Sequence, residues 1–406
     1  MRIQSGRWLW QFLFTLIFIC SNVANAAALS SATAAPTPIS IAGFAFEGEH
    51  ASAATRFPHS YKLYDRLHAN AAQSLSKQVA DRAISVQNPA LEVQPMDKGV
   101  NLKSSDQALM AVLVLSNEVV STEVFGTYYK TFVNLRGNAL IFDYKSKTVV
   151  RSYPLNVVLF DATTHAPTDS EISGYVESLI MRQEGKDLLS QFTKRLSTAT
   201  LPKVGGHTVQ VRKAEVAPEA LAMMPESLRN DAGAVDSMIV DTFASILSDK
   251  MGVSVLPSKI GHAIGGTMVF RLENGDDQIL KLGEGDYLFD LKISKFAKIK
   301  NAETNVGASY VYGAYGNMHF FEPLLNTDFI NTDLKNGEVA LVPAGELYRD
   351  DFPAYQDAIR GMFTKLADAI MQPTAQPNST WISKAASAKD ISTQLQTARE
   401  KLGTCK

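Results

Sequence analysis

The sequence predicts an α+β protein: two similar two-layer modules, each a mixed or mainly antiparallel sheet with long helices on one face. Three observations predict it. Apolar residues recur at every second position in some stretches and at every third or fourth in others, so both strands and helices are present. The chain is 46% apolar and 20% charged, the balance of a protein with a packed core. Finally, the order of elements before Pro202 recurs after Gly206.

The first module is expected over residues 39–200. Ile39–Phe46 reads as a strand. Ser60 then looks like an N-cap for one long helix, with Leu63, Tyr64, Leu67, Ala71, Leu75 and Val79 along a single face. Leu109–Leu115 is a continuous apolar run suited to a strand covered on both sides, and it continues to Phe125. Thr131–Tyr144 and Thr148–Phe160 read as two more strands, joined by a hairpin turn through Lys145-Ser146-Lys147. Thr168 and Glu171 have capping-box spacing and open a helix that carries Ile172, Tyr175, Val176, Leu179 and Ile180. Helix resumes past Gly185 through Leu188, Phe192 and Leu196.

Pro202-Lys203-Val204-Gly205-Gly206 is the best linker in the chain. The second module is expected over residues 207–372. His207–Val216 is strand-like, and Leu228 to Leu247 marks a long helix that closes near Gly252. Tyr287, Phe289, Leu291 and Ile293 alternate with polar residues as in a half-exposed strand, and Val306–Phe321 has the length of its partner. Glu338–Val342 suggests a further strand, and Phe352–Ile370 a closing helix. Residues 373–406 are expected to be a C-terminal tail with one short helix. A local echo accompanies the repeated order: Leu115-Ser116 in the first half beside Ile293-Ser294 in the second.

The long strands Leu113–Pro154, with Ile141-Phe142-Asp143 turning through Lys145-Ser146-Lys147 into Thr148-Val149-Val150, carry a resemblance. They look like the small α/β modules of bacterial envelope proteins, such as the N-terminal domain of TolB and the curli secretion protein CsgG. That resemblance implies protein–protein work at the cell envelope and brings no catalytic residues with it.

The N-terminus points to export. Arg2 and Arg7 precede a nearly unbroken apolar run from Trp8 to Cys20, and Ala24-Asn25-Ala26 offers the small-x-small pattern of a cleavage site. The run is shorter than the roughly 20 residues a membrane-spanning helix needs, so residues 1–26 are expected to be a signal peptide removed after Ala26. Residues 27–38, rich in Ala, Ser, Thr and Pro, should form a flexible leader. A periplasmic or secreted protein with no membrane anchor after cleavage is the expectation. Losing Arg2 and Arg7 changes 39 basic and 41 acidic residues to 37 and 41, a net charge near −4, which disfavours nucleic acid as a partner. Cys405 is then the sole remaining cysteine, so no internal disulfide is expected.

Chemistry is harder to find. The seven histidines show no i, i+4 pair and the cysteine count argues against structural zinc, so no metal is expected. No cofactor motif stands out: Gly261–Thr267 lacks the lysine of a phosphate loop, and Asn274-Gly275-Asp276-Asp277 reads as a hairpin turn. Ser74 and Lys77 have S-x-x-K spacing, but on a helix face where Lys points to water. The most suggestive stretch is Tyr310–His319. As a strand it puts Val311, Gly313, Tyr315, Asn317 and His319 on one face, with small residues leaving room for a partner, and Tyr315, Asn317 and His319 are the candidate binding residues. The leading expectation is a non-enzymatic accessory protein that binds another envelope protein. A hydrolase with a dispersed active site and a small-molecule binder using the cleft between modules are the alternatives.

Overall fold

A computed structural model describes residues 35–96, 108–182, 185–202, 206–230, 232–258, 266–273, 275–345 and 350–406. The expected signal peptide, residues 27–34 of the leader, residues 203–205 of the linker and residues 261–265 lie outside the described residues.

The first sheet grows from strongly apolar segments, among them Ile39–Phe46 and Leu109–Leu115. β1 (Thr37–Phe46) pairs in parallel with both β2 (Leu91–Pro95) and β3 (Leu109–Phe125). β3, β4 (Tyr128–Asp143) and β5 (Thr148–Thr163) then form an antiparallel meander. The β4–β5 turn falls where the sequence put it, with Lys147 at a positive φ of 55°. The leader is shorter than the sequence suggests, because Thr37 and Pro38 already belong to β1.

Helices α1 (Pro58–His68), α2 (Leu75–Ile84), α3 (Asp169–Glu177) and α4 (Leu188–Thr198) cover one face of this sheet. The single long helix expected from Ser60 is in fact α1 and α2, and Ser60 lies inside α1. Two polar side chains make the break: Asn70 accepts from the Ala72 N–H, and Ser74 accepts from the Lys77 N–H as the N-cap of α2. The Ser74–Lys77 spacing is therefore a cap, and the Lys77 ammonium pairs with Asp81. The Thr168–Glu171 capping box has both of its hydrogen bonds. A π-turn at Ser178–Arg182 and Gly185 at a φ of 77° separate α3 from α4.

The second sheet repeats the connectivity. β6 (Val209–Val216) pairs in parallel with β7 (Val255–Leu256) and β10 (Tyr287–Thr304), and β10, β11 (Gly307–Glu322) and β12 (Thr327–Pro343) form a meander. The orders β2-β1-β3-β4-β5 and β7-β6-β10-β11-β12 are the same arrangement twice. The echo at Ser116 and Ser294 is structural too. Each serine sits at a register shift in the first meander strand, and Gly137 and Gly316 pair with Leu115 and Ile293 beside it. α5 (Ala232–Met251) and α6 (Phe352–Met371) pack on one face of the second sheet.

Two boundaries differ from the sequence reading. The hairpin β8 (Thr267–Arg271) and β9 (Asp277–Lys281), lying within the second module's span, extends the first sheet beyond β5. Its Met268, Phe270, Leu280 and Leu282 bury against Met110, Val112, Val114 and Phe142, a face that would otherwise be wet. Residues 373–406 are also more than a tail. They form α7 (Asn378–Ala385) and α8 (Ile391–Gly403), which bury Ile382, Leu395, Ala398 and Leu402 in the second core. Cys405 is buried with them, and desolvation pushes its thiol up to about 12, so it is held as an unreactive thiol.

Candidate functional site

Two surfaces could do work, and they are equivalent faces of the two sheets. β11 turns Ala314, Met318 and Phe320 into the second core, so its alternate residues Tyr315, Asn317, His319 and Phe321 lie on the other face and are half-buried. The three residues singled out from sequence thus share one face. Each has a neighbour. The Lys295 ammonium sits 4.9 Å from the Tyr315 ring centre, with Lys335 paired across from Tyr315 on β12. The Asn317 amide donates to Asp333 at 2.9 Å, and His319 lies 2.7 Å from Asp328 and stacks on Phe321 at 4.4 Å. Arg212 covers Phe321 and pairs with Asp290.

The small residues do not leave the expected space. A Cβ on Gly313 would lie 3.2 Å from the Tyr315 ring, so the tyrosine itself covers that glycine. Beyond this row the face turns apolar. Ile299, Val311 and Val339 pair across three strands, and Ile299 and Val339 are 59% and 63% exposed, with Leu341 next along at 77%. No helix covers this end of the face among the described residues.

In the first sheet, the register around Gly137 makes Arg136, Asn138 and Leu140 the counterparts of Tyr315, Asn317 and His319. On their face α5 covers Arg136 and Asn138, and the β8–β9 hairpin covers Leu140. Arg136 is fully buried and lies 3.2 Å from Asp241 on α5. Next to this pair is a cavity of about 400 Å³ between the modules, walled by Glu47, Asn117 and Asn138 on one side and by Ser237, Val240 and Asp241 on the other. Burial pushes the Glu47 carboxyl up to about 7; Arg56 and Arg136 pull it down and Asp241 adds to the rise. Burial also raises Asp241, against the pull of Arg136. Among the described residues, no histidine, cysteine or lysine walls the cavity. A second, shallower cleft of about 340 Å³ along the same seam has Phe132, Phe160 and Phe352 in its wall.

Glu47, Arg136 and Asp241 were not singled out from sequence, yet a signal existed. Arg136 is the sole charged residue between Lys130 and Asp143, and Asp241 stands inside the run Ser237-Met238-Ile239-Val240-Asp241-Thr242-Phe243. A charge in such a setting is one that needs a partner.

The architecture defines a tandem α+β protein with one sheet face buried between its modules and the matching face open. No family model matches the chain, and no curated protein matches it. Among solved structures it is similar to a homolog of the neuraminyllactose-binding hemagglutinin from Helicobacter pylori. The identity is 15%, the match covers 45% of this chain and 90% of that one, and the TM-score is 0.25. A likeness of that size carries no argument about function. No helix among the described residues is long and apolar enough to cross a membrane.

Proposed function

We propose that the chain is exported and acts as an accessory protein of the cell envelope, binding another envelope component through the open face of its second sheet. The observation that carries this reading is the asymmetry between two equivalent faces. The first is buried under α5 and the β8–β9 hairpin, whereas the second ends in an exposed apolar row. Exposed apolar residues gathered on one surface, with aromatic and charged residues beside them, are what a partner interface requires. Tyr315 lies between Lys295 and Lys335, joining the charged part of the face to the apolar part. The N-terminal pattern of Arg2, Arg7, Trp8–Cys20 and Ala24-Asn25-Ala26 supports export, and the resemblance to TolB and CsgG modules supports the envelope as the place of work.

The test is cross-linking in intact cells from a photoreactive residue at position 339, with position 194 on α4 as the control. Tyr315→Ala should weaken a discrete adduct at position 339 while costing about 1 kcal/mol of stability, as for a half-buried side chain outside the core. Equal adducts at both positions, or unfolding without selective loss, would remove the face from consideration. Mature protein beginning at Ala27 would support export, and intact Met1 would count against it.

A further inference from the structure

We infer that the cavity between the modules is a binding site for a small organic ammonium compound, with its cationic nitrogen held by Glu47 and Asp241. This inference is independent of the sheet-face reading. A volume of about 400 Å³ is within the range of small-ligand sites, and at roughly 30 Å³ per water-sized group it takes about ten heavy atoms. The wall is rich in hydrogen-bond acceptors. It presents two carboxyl groups and Asn117, whose side-chain oxygen is buried with no hydrogen-bond partner. The Asn138 oxygen already accepts from Ser152, and the Ser116 hydroxyl already donates to the Arg136 carbonyl. Among the described residues no lysine or arginine lines the space itself, and Arg56 and Arg136 meet the two carboxyl groups from behind it, so within the space the N–H donors come from the ligand.

Two other cations fit less well. Among the described residues no three His, Cys, Asp or Glu side chains converge as a metal ion would need. A quaternary ammonium favours aromatic walls, and none of the described residues of this wall is aromatic. A primary or secondary ammonium, which offers N–H donors to carboxylates and an amide oxygen, matches what is there.

The site also couples binding to pH. The groups facing Glu47 are Arg56 from the one-turn helix Ala53–Arg56, Arg136 from β4 and Asp241 from α5. Without ligand Glu47 loses its proton at about 7. A cation favours the ionised form, so binding strengthens as pH rises through 7 and expels a proton below it.

Spermidine, a linear triamine of suitable length, is the probe, and 1,8-octanediol is its neutral counterpart. Titration calorimetry at physiological salt and pH 8 should show one spermidine per chain and no heat from the diol. At pH 6 the affinity should fall about tenfold, following the loss of ionised Glu47. Glu47→Gln should weaken binding about tenfold at pH 8. Ala234→Leu, which keeps every charge but fills the space from α5, should abolish it. No saturable heat at millimolar spermidine overturns the inference. So does equal binding by Ala234→Leu, which would mean surface association. Should Glu47→Gln fail to fold, Ala234→Leu and the pH dependence decide the matter.

Discussion

At the residue scale, Glu47 makes the protein's stability depend on pH in an unusual direction for a carboxylate. Its folded value near 7 lies above that of the unfolded chain. Below about pH 4.5 both states are protonated and nothing is lost. Between about 4.5 and 7 the unfolded chain ionises first, so stability declines as pH rises and levels off above 7. Glu47→Gln should therefore match the parent in thermal unfolding at pH 4 and exceed it at pH 8. The gain should be on the order of 2 kcal/mol, below the full conversion because Glu47 is partly exposed. A gap that is constant across pH would show that burial does not act on this carboxyl. The paired serines and glycines are a second residue-scale feature. A Cβ on Gly137 would come within 2.5 Å of the Val114 carbonyl oxygen, and one on Gly316 would meet the Lys292 carbonyl oxygen. Gly137→Ala should cost about 2–3 kcal/mol in urea unfolding. Gly174→Ala on α3, where a Cβ meets nothing within 4 Å, should be neutral or stabilising. The serine echo was legible in sequence. The opposing glycines were not, because they fall into place only once residues over 20 positions apart are paired across a hairpin.

At the element scale, the C-terminal helices discriminate best between a tail and a core. Leu395 on α8 is fully buried in the second core, so Leu395→Ala should cost about 2–5 kcal/mol, where a loose tail would lose almost nothing. The edge strand β12 receives the same segment: the Asp333 N–H donates to the Ser387 hydroxyl and the Ser387 N–H to the Asp333 carbonyl. That pairing occupies part of an edge that would otherwise be open to another strand. Most elements were readable because their apolar spacing is clean, as in β4, β5 and α6. Only the last third of β12 was legible. Its inward positions include Thr332 and Asn336, both buried, and Asn336 is satisfied by Glu338, Lys365 and the Ala358 carbonyl. Buried polar residues break the alternation by which a strand is recognised, and only their tertiary partners explain them. The β8–β9 hairpin was visible as a turn, but nothing in five-residue strands reveals which sheet they join.

At the scale of the whole molecule, the two modules are similar in connectivity yet not separable. Arg136 reaches Asp241, the Asn156 amide donates to the Thr242 hydroxyl at 3.1 Å, and the Ser152 N–H donates to the Ser254 hydroxyl at 3.0 Å. Each contact ties the first sheet to the second half of the chain. The apolar contribution is larger. Met110, Val112, Val114, Leu140 and Phe142 are buried with the β8–β9 hairpin, and Phe132 belongs to the second core. At about 25 cal/mol per Å² of apolar surface, wetting that face would cost the first module more than a domain of its size has to spare. A protease cut between Leu201 and Gly206 should therefore leave two fragments that co-elute in size-exclusion chromatography and unfold in one transition. Residues 27–202 expressed alone should bind a hydrophobic dye and lack near-ultraviolet circular dichroism, and should regain it when mixed during refolding with residues 206–406. A soluble 27–202 fragment with native near-ultraviolet signal would mean that each module completes its own core. In that case the seam, its cavity and the buried Arg136–Asp241 pair would be a docking contact between independent domains and no part of what makes either one fold.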